Sequence, residues 1–211
     1  VRQEGLRMYF TAQHRGGRFP VVLNLAGRHS VLNALAAISV GLELGVPEAA
    51  IQRALAGFQG IGRRFVVSAI RDAAGRDLVL IDDYGHHPRE VAATLEAARQ
   101  GWPGRRLVLV FQPHRYSRTQ EQFDDFAQVL SSVDRLVLCE VYPAGEAPIA
   151  GADGRALSRA IRARAQVDPV FCPDLEEVPR VLDKLLEDGD RVVLSGAGDI
   201  GGLAARLPAS V

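Results

Sequence analysis

From Arg64 onward, short unbroken apolar runs alternate with amphipathic stretches of helical period. Leu107–Phe111 reads LVLVF, apolar at every position. A strand of that kind has no face to give to water. It must sit in a parallel sheet covered by helices on both sides. The spacing predicts strands at Phe65–Ile70 and Leu78–Asp82 around a turn at Asp72–Gly75, then at Leu107–Phe111, Arg135–Val141, Pro169–Cys172 and Arg191–Leu194. Helices are predicted at Arg89–Gln100, Thr119–Leu130, Gly154–Arg164, Leu175–Leu186 and Ile200–Leu207. Residues 64–211 thus read as a complete α/β domain, Rossmann-like, with a parallel sheet.

Residues 1–63 follow another rhythm. Leu6–Leu25 reads as a β-hairpin around Arg15-Gly16-Gly17, the glycine pair supplying positive φ angles. A helix is expected over Ser30–Leu44, with Gly45 just past its end. Pro47 opens a second helix that runs to about Ala56. Gly57–Gly62 is a glycine-rich break and marks the domain boundary. This segment looks like part of a second domain. Together with the first residue being Val1, that suggests the middle of a longer protein.

Composition excludes several classes. With 47% apolar residues and 25 acidic against 25 basic side chains, disorder is not expected. No run approaches the roughly 20 apolar residues of a membrane span. A net charge of zero gives no basic excess for nucleic acid. Cys139 and Cys172 are too few and too far apart for a zinc site or a disulfide scaffold. They read as core thiols in a reducing, cytoplasmic setting. Among the basic residues only Lys184 is a lysine, and it lies between Asp183 and Leu185 in a helical segment. A phosphate-cradling G-x-x-x-x-G-K-[ST] loop therefore cannot be built from this chain.

Ligands of open α/β sheets bind at the carboxyl ends of strands, and three such ends are polar here. Asp82-Asp-Tyr-Gly-His-His-Pro88 sets two carboxylates, a phenol and two imidazoles after a core strand. That is costly unless they are solvated or used. Helix capping would account for Asp83 and leave both histidines over. Gln112-Pro-His-Arg-Tyr-Ser-Arg-Thr119 places His114, Arg115 and Arg118 beside a helix start. Two cations there oppose the helix dipole, so an anionic ligand would relieve a cost. The plainer reading pairs the arginines with Glu121, Asp124 or Asp125. Ser195-Gly-Ala-Gly-Asp-Ile-Gly201 fits G-x-G-x-x-G, yet only ten residues follow it. Its glycines are expected to permit close helix–strand approach or to line a cleft, not to bind a dinucleotide. His29 and Asn33 share one helix face, with Ser30 or His29 near the N-cap. Arg63-Arg64 reaches a phosphate or simply flanks a linker. His14, near the hairpin turn, is expected to be solvated.

These stretches together resemble the Mur ligase superfamily, and within it the alanine-adding branch. The likeness covers essentially the whole chain. It rests on Gly27-Arg-His-Ser-Val-Leu-Asn33-Ala-Leu-Ala-Ala, on Gly60-Ile-Gly-Arg-Arg64-Phe65, on Asp82–Pro88 and Gln112–Arg118, on Val141-Tyr-Pro-Ala-Gly-Glu146 and on Gly196-Ala-Gly198. The resemblance implies a three-domain enzyme in which residues 1–63 end the central ATP-binding domain and residues 64–211 form the C-terminal domain. ATP would phosphorylate the lactyl carboxylate of UDP-N-acetylmuramate, and L-alanine would attack the acyl phosphate, in peptidoglycan precursor synthesis.

Carried over by position, the resemblance gives His29, Asn33, Arg64 and Asp83 to ATP. Tyr84, His86 and His114 border the reacting centre. They bind substrate together with Arg115 and Arg118, which hold the alanine carboxylate or the nearby acyl group. Ser30 stands where the family has an asparagine, which puts one adenine contact in question. Mg2+ would be held mostly by the N-terminal and central portions outside these residues, with no metal ligand in this chain. The chain alone is expected to be inactive. Two other readings fit the same residues: a tripeptide-adding ligase of murein recycling, and a nucleotide- or anion-binding module without chemistry.

Overall fold

The computed structural model describes residues 1–210, with side chains through Leu207. They divide into two compact units, Val1–Ile61 with Glu96–Gly104, and Gly62–Leu95 with the described residues from Arg105 onward.

In the first unit β2 (Arg7–His14) and β3 (Gly17–Leu23) form the expected hairpin, with Phe10 opposite Val21 and Ala12 opposite Phe19. Met8, Phe10, Ala12, Phe19, Val21 and Leu23 alternate onto one buried face and pack against Val31, Ala34, Ile38 and Ile51. Two details depart from expectation. A third strand, β1 (Arg2–Glu4), pairs with β2 around Gly5 at φ 56°. Its sequence RQE is too short and polar to show an apolar alternation. In the hairpin turn only Gly17 (φ 150°) takes a positive φ, and Gly16 does not. His14 is not simply solvated either: its Nε2 lies 2.9 Å from Glu48 Oε1.

The helices are α1 (Arg28–Glu43) and α2 (Glu48–Gly57). Gly45 ends α1 at φ 73°, donating to the Leu42 carbonyl, while Val46 donates to Gly41. These two bonds make a Schellman motif, which only a residue at ease in the left-handed region closes without strain. The N-cap is Gly27 rather than Ser30 or His29. Ser30 is buried within the helix, and its hydroxyl donates to the Ala26 carbonyl at 2.8 Å. Leu32 and Val40 on the same helix and Leu44 at its C-cap are 63%, 60% and 76% exposed.

The second unit is a six-stranded sheet in the order β4-β5-β9-β6-β7-β8. Its strands are β4 (Val66–Arg71), β5 (Asp77–Asp83), β6 (Leu107–Phe111), β7 (Arg135–Cys139), β8 (Val170–Cys172) and β9 (Arg191–Ser195). β4 runs antiparallel to β5, and all other pairs are parallel. The connections carry α3 (Pro88–Gly101), α4 (Tyr116–Glu121), α5 (Phe123–Leu130), α6 (Gly154–Ala163) and α7 (Val178–Leu185), and α8 (Ile200–Ser210) ends the chain.

One face of the sheet packs Leu80, Val108, Val110, Val137 and Val192 against Val178 and Leu182 of α7 and Ile200 and Leu203 of α8. The alternate residues Ile81, Leu109, Phe111, Leu136 and Val193 are also buried, with Phe111 against Phe126 of α5 at 5.4 Å between ring centroids. Both faces are therefore covered, as the unbroken apolar strands require. The single helix expected over Thr119–Leu130 is instead two. Gln122 leaves helical geometry (φ −111°, ψ 21°), and α4 begins earlier, at Tyr116. The helix expected over Leu175–Leu186 opens as a 3₁₀ turn at Leu175–Glu177, ahead of Pro179 in the first turn of α7. Cys139 and Cys172 are buried and form no disulfide.

The last strand, β9, returns from the sheet edge to lie between β5 and β6. Such a reversal splays the neighbouring loops apart and opens a crevice at the strand ends. Asp83, Phe111 and Ser195 end these three strands, and each of the outer two is paired in register with Ser195.

Candidate functional site

The loops beyond β5, β6 and β7 carry a row of rings. Tyr84 meets His86 edge-on at 5.4 Å between centroids, His86 meets His114 at 5.6 Å, and His114 stacks on Tyr142 at 5.5 Å and 16°. The guanidinium carbons of Arg63 and Arg64 lie 5.2 and 5.7 Å from the Tyr84 ring centroid. Arg118 reaches His114 from the other side, with Nη1 3.3 Å from Nδ1 and 3.2 Å from the carbonyl. The second unit thus brings together Arg64, Asp83, Tyr84, His86, His114, Arg115 and Arg118. His29, half-buried, and Asn33, exposed, belong to α1 of the first unit.

The β5 loop is shaped by its carboxylates. Asp83 is 7% exposed, and both of its oxygens are engaged, Oδ2 by the Phe65 amide at 2.9 Å and Oδ1 by the Gly85 amide at 2.7 Å. It thereby holds Phe65 in the left-handed region at φ 53°. Asp82 faces Arg63 at 3.5 Å, and burial pushes its carboxyl upward against the opposing pull of that guanidinium. Glu90, on the first turn of α3, accepts the amides of His86 (3.0 Å) and His87 (3.1 Å), as the third helical position does in a capping box. Those two bonds offset its burial and hold the carboxyl below its ordinary range. Pro88 is the first residue of the helix, as expected. His87 accepts the Arg89 amide at its Nδ1, so one of the two histidines is structural.

His86 and His114 are complementary. His86 Nδ1 lies 3.1 Å from the Tyr84 carbonyl, so that nitrogen donates and, in the neutral ring, Nε2 is the acceptor. His114 is pushed to lower pKa by burial first, then by His86, Arg118 and Arg115. It is neutral near pH 7, with Nδ1 accepting from Arg118 and the proton on Nε2. The row thus offers a ring acceptor beside a ring donor, edged by cations, an arrangement able to hold an amine and an anion together.

The loop after β6 is strained. Arg115 sits at φ 73°, with its N–H given to the Tyr142 carbonyl at 2.8 Å and its carbonyl taken by the Thr119 hydroxyl at 2.8 Å. The anion beside this loop is supplied by the chain itself. Glu146 Oε1 accepts the Ser117 hydroxyl at 2.7 Å, Oε2 accepts the Ser117 amide at 3.0 Å, and Arg115 Nη1 lies 3.6 Å from Oε1. Arg115 and Arg118 therefore turn to Glu146 and His114.

The glycines of Gly196–Gly201 permit close approach, as expected. A Cβ on Gly198 would lie 2.5 Å from Gln112 Oε1 and 2.7 Å from Tyr142 Cγ, and one on Gly201 would lie 2.3 Å from Arg63 Cζ. Arg63 fills the space at Gly201 and donates to the Gly196 carbonyl at 2.6 Å. Tyr142 also lines a cavity of about 450 Å³ with Gln112, Glu140, Asp174, Asp199 and Arg206. Among the described residues no cluster of three or more His, Cys, Asp or Glu could hold a metal ion. No helix among them is long and apolar enough to cross a membrane.

Sequence reasoning missed three contributors, Glu90, Tyr142 and Glu146, and left Arg63 open between a phosphate contact and a linker flank, where the structure turns it to Gly196, Asp82 and Tyr84. Glu90 carried a signal, an acid three residues after a helix-opening histidine. Tyr142 and Glu146 lie within a stretch that caught attention without a role.

Comparison with known proteins agrees with this geometry. The profile of the Mur ligase, glutamate ligase domain matches residues 62–198. The chain is 57% identical over 209 residues to a UDP-N-acetylmuramate–L-alanine ligase of Methylococcus capsulatus, covering 99% of this chain and 44% of that protein. It is 59% identical over 203 residues to one of Burkholderia mallei, again 44% of the protein's length. The solved structure of the UDP-N-acetylmuramate–alanine ligase MurC of Thermotoga maritima superimposes with a TM-score of 0.79 at 28% identity, covering 96% of this chain and 42% of that one. The present chain thus spans less than half the length of these relatives, and by its sheet, its strand-end loops and its matched residues it belongs to the Mur ligase family.

Proposed function

We propose that this chain is the carboxyl-terminal part of an ATP-dependent ligase that joins L-alanine to UDP-N-acetylmuramate. The observation that carries this is the row Tyr84–His86–His114–Tyr142 beyond the ends of β5, β6 and β7, edged by Arg64, Arg115 and Arg118. Relatives at 57–59% identity bear the name of that activity. Residues 1–63 are assigned to the end of a central nucleotide-binding domain and residues 64–211 to the domain that receives the amino acid.

In this reading the γ-phosphoryl group of ATP passes to the lactyl carboxylate, and the alanine amine attacks the resulting acyl phosphate to give an amide, ADP and phosphate. Arg115 and Arg118 hold the alanine carboxylate and the nearby acyl group. The neutral His114 donates from Nε2 to developing negative charge, and His86 Nε2 is the acceptor for a proton leaving the amine. Tyr84 walls the site and carries Arg64, which faces the phosphates. His29 and Asn33 meet the adenine. Ser30 cannot donate to the adenine, because its hydroxyl proton is already given to the Ala26 carbonyl. Asp83 can reach a ribose hydroxyl only with lone pairs left over from its two amide bonds. Mg2+ finds no ligand cluster among the described residues.

The exposed Leu32, Val40 and Leu44 of α1 are a surface for the preceding half of a longer chain. The test is to assay the full-length protein for UDP-N-acetylmuramoyl-L-alanine and ADP. Losing one charge-assisted contact is worth about 1.5–3 kcal/mol, so Arg115→Ala should lower kcat/KM for alanine roughly 10- to 100-fold. Unchanged alanine addition by that variant refutes the role of Arg115. Preference for a tripeptide over L-alanine moves the assignment to the recycling ligases.

A further inference from the structure

We propose that Glu146 is a positioning residue for Arg115, fixing its guanidinium in the orientation that receives the amino-acid carboxylate. This rests on the ligase reading above. The proposal begins with two strained segments that meet at one carboxylate. After β7 the chain turns sharply, with Ala144 at φ 50° and Gly145 at φ 87°, and the Glu146 amide donates to the Pro143 carbonyl at 3.0 Å. A left-handed alanine is uncommon and persists only where its surroundings over-determine it. Here the turn carries the Glu146 side chain to the first turn of α4. On the other side, Arg115 is held at φ 73° by bonds to both its amide and its carbonyl.

The contact between them is built, not incidental. Ser117 grips both oxygens of Glu146, one through its hydroxyl at 2.7 Å and one through its amide at 3.0 Å. The carboxylate is thus fixed before Arg115 meets it. The Glu146 side chain is 24% exposed and that of Arg115 is 49% exposed. A half-exposed arginine without a partner samples many rotamers and loses that freedom on binding a ligand. Arg115 Nη1 lies 3.6 Å from Glu146 Oε1, beyond hydrogen-bond reach, which leaves the donors of the planar fork for a second carboxylate. Glu146 therefore directs the guanidinium without consuming it. Ala144 and Gly145 set Glu146, Glu146 sets Arg115, and Arg115 faces the ligand.

The test uses the full-length enzyme and Glu146→Gln, which keeps the size of the side chain and lets its oxygen accept the Ser117 amide while its NH2 donates to the Ser117 hydroxyl, but removes the charge. KM for L-alanine should rise about tenfold, with kcat within about threefold and the KM values for ATP and the UDP-sugar within about twofold. L-Alaninamide has no carboxylate, so its kinetics should not distinguish wild type from variant. Ser117→Ala, which loosens Glu146 while leaving the charge, should raise KM for L-alanine about two- to threefold. An unchanged KM for L-alanine in Glu146→Gln overturns the assignment. So does a rise that appears equally with L-alaninamide, because that reports a general disturbance of the loop. If wild-type enzyme forms no amide with L-alanine, the ligase reading itself has failed, a result separate from either outcome with the variants.

Discussion

Gly201→Ala is a substitution whose sign is set by a single side chain. Alanine is the better helix former by up to about 1 kcal/mol, so a glycine in the first turn of α8 should improve when replaced. The structure opposes this. The new methyl would lie 2.3 Å from Arg63 Cζ and 2.6 Å from its Nε and Nη1. A guanidinium is movable, so the clash is relieved by expelling Arg63, and the cost is what Arg63 does there. It donates to the Gly196 carbonyl at 2.6 Å, lies over Tyr84 at 5.2 Å, and faces Asp82, whose side chain is only 16% exposed. A charge-assisted bond is worth about 1.5–3 kcal/mol, and a cation over a partly exposed ring about 0.5–1. Set against the helix gain, the variant should be destabilised by about 1–3 kcal/mol, which for a unit of this size lowers Tm by roughly 3–10 °C. Thermal unfolding of the 211-residue chain measures it, and a double-mutant cycle isolates the cause. In an Arg63→Ala background the obstruction is gone, and Gly201→Ala should be neutral or stabilising by up to about 1 kcal/mol. Equal stabilisation in both backgrounds would show that Arg63 does not occupy this niche.

Phe126→Ala removes a fully buried ring packed on Phe111 and should cost about 3–5 kcal/mol, read by urea unfolding. His114 has a depressed pKa in the folded chain, so the unfolded chain binds the proton more readily. Its contribution to stability is complete above about pH 6.5 and is lost as pH falls from there through the folded value, which a pH series of unfolding curves should show and His114→Gln should flatten. Replacing Leu32, Val40 and Leu44 by serine should change the stability of the 211-residue chain by no more than about 0.5 kcal/mol each, yet lower Tm in the full-length protein. Equal effects in both would refute the assignment of that α1 face to the preceding half.

What the sequence shows of this fold follows from burial on two sides. Leu107–Phe111 admits one environment, and the same holds for Arg191–Ser195, so the sheet and its order of helices are legible. Gly45 signals the end of α1 because its φ of 73° is a chemical requirement. Elements that depend on partners are not legible. β1 exists because β2 offers it an edge, and RQE carries no pattern of its own. The division between α4 and α5 lies at Gln122, whose side chain has no breaking propensity. Of the site, the ring-bearing loops stand out because imidazoles and guanidinia after apolar strands demand a reason. Glu146 does not stand out, since its partner Ser117 is twenty-nine residues away and the left-handed bend at Ala144 that joins them has no signature in an alanine.

The carboxylates of the site divide by what they must neutralise. Asp83 and Glu90 spend their charge on backbone amides at the ends of β5 and the start of α3, so their work is to hold Phe65, Gly85, His86 and His87 in place. Asp82 and Glu146 instead face Arg63 and Arg115. What remains outward is neutral or cationic: Tyr84, His86, a His114 kept unprotonated by burial and by its neighbours, and the guanidinia of Arg115 and Arg118. A site whose own acids are all committed inward has its free valence for anions. That is the electrostatic form the proposed ligase function calls for, because a phosphate, a carboxylate and a developing oxyanion would each carry negative charge to these strand ends.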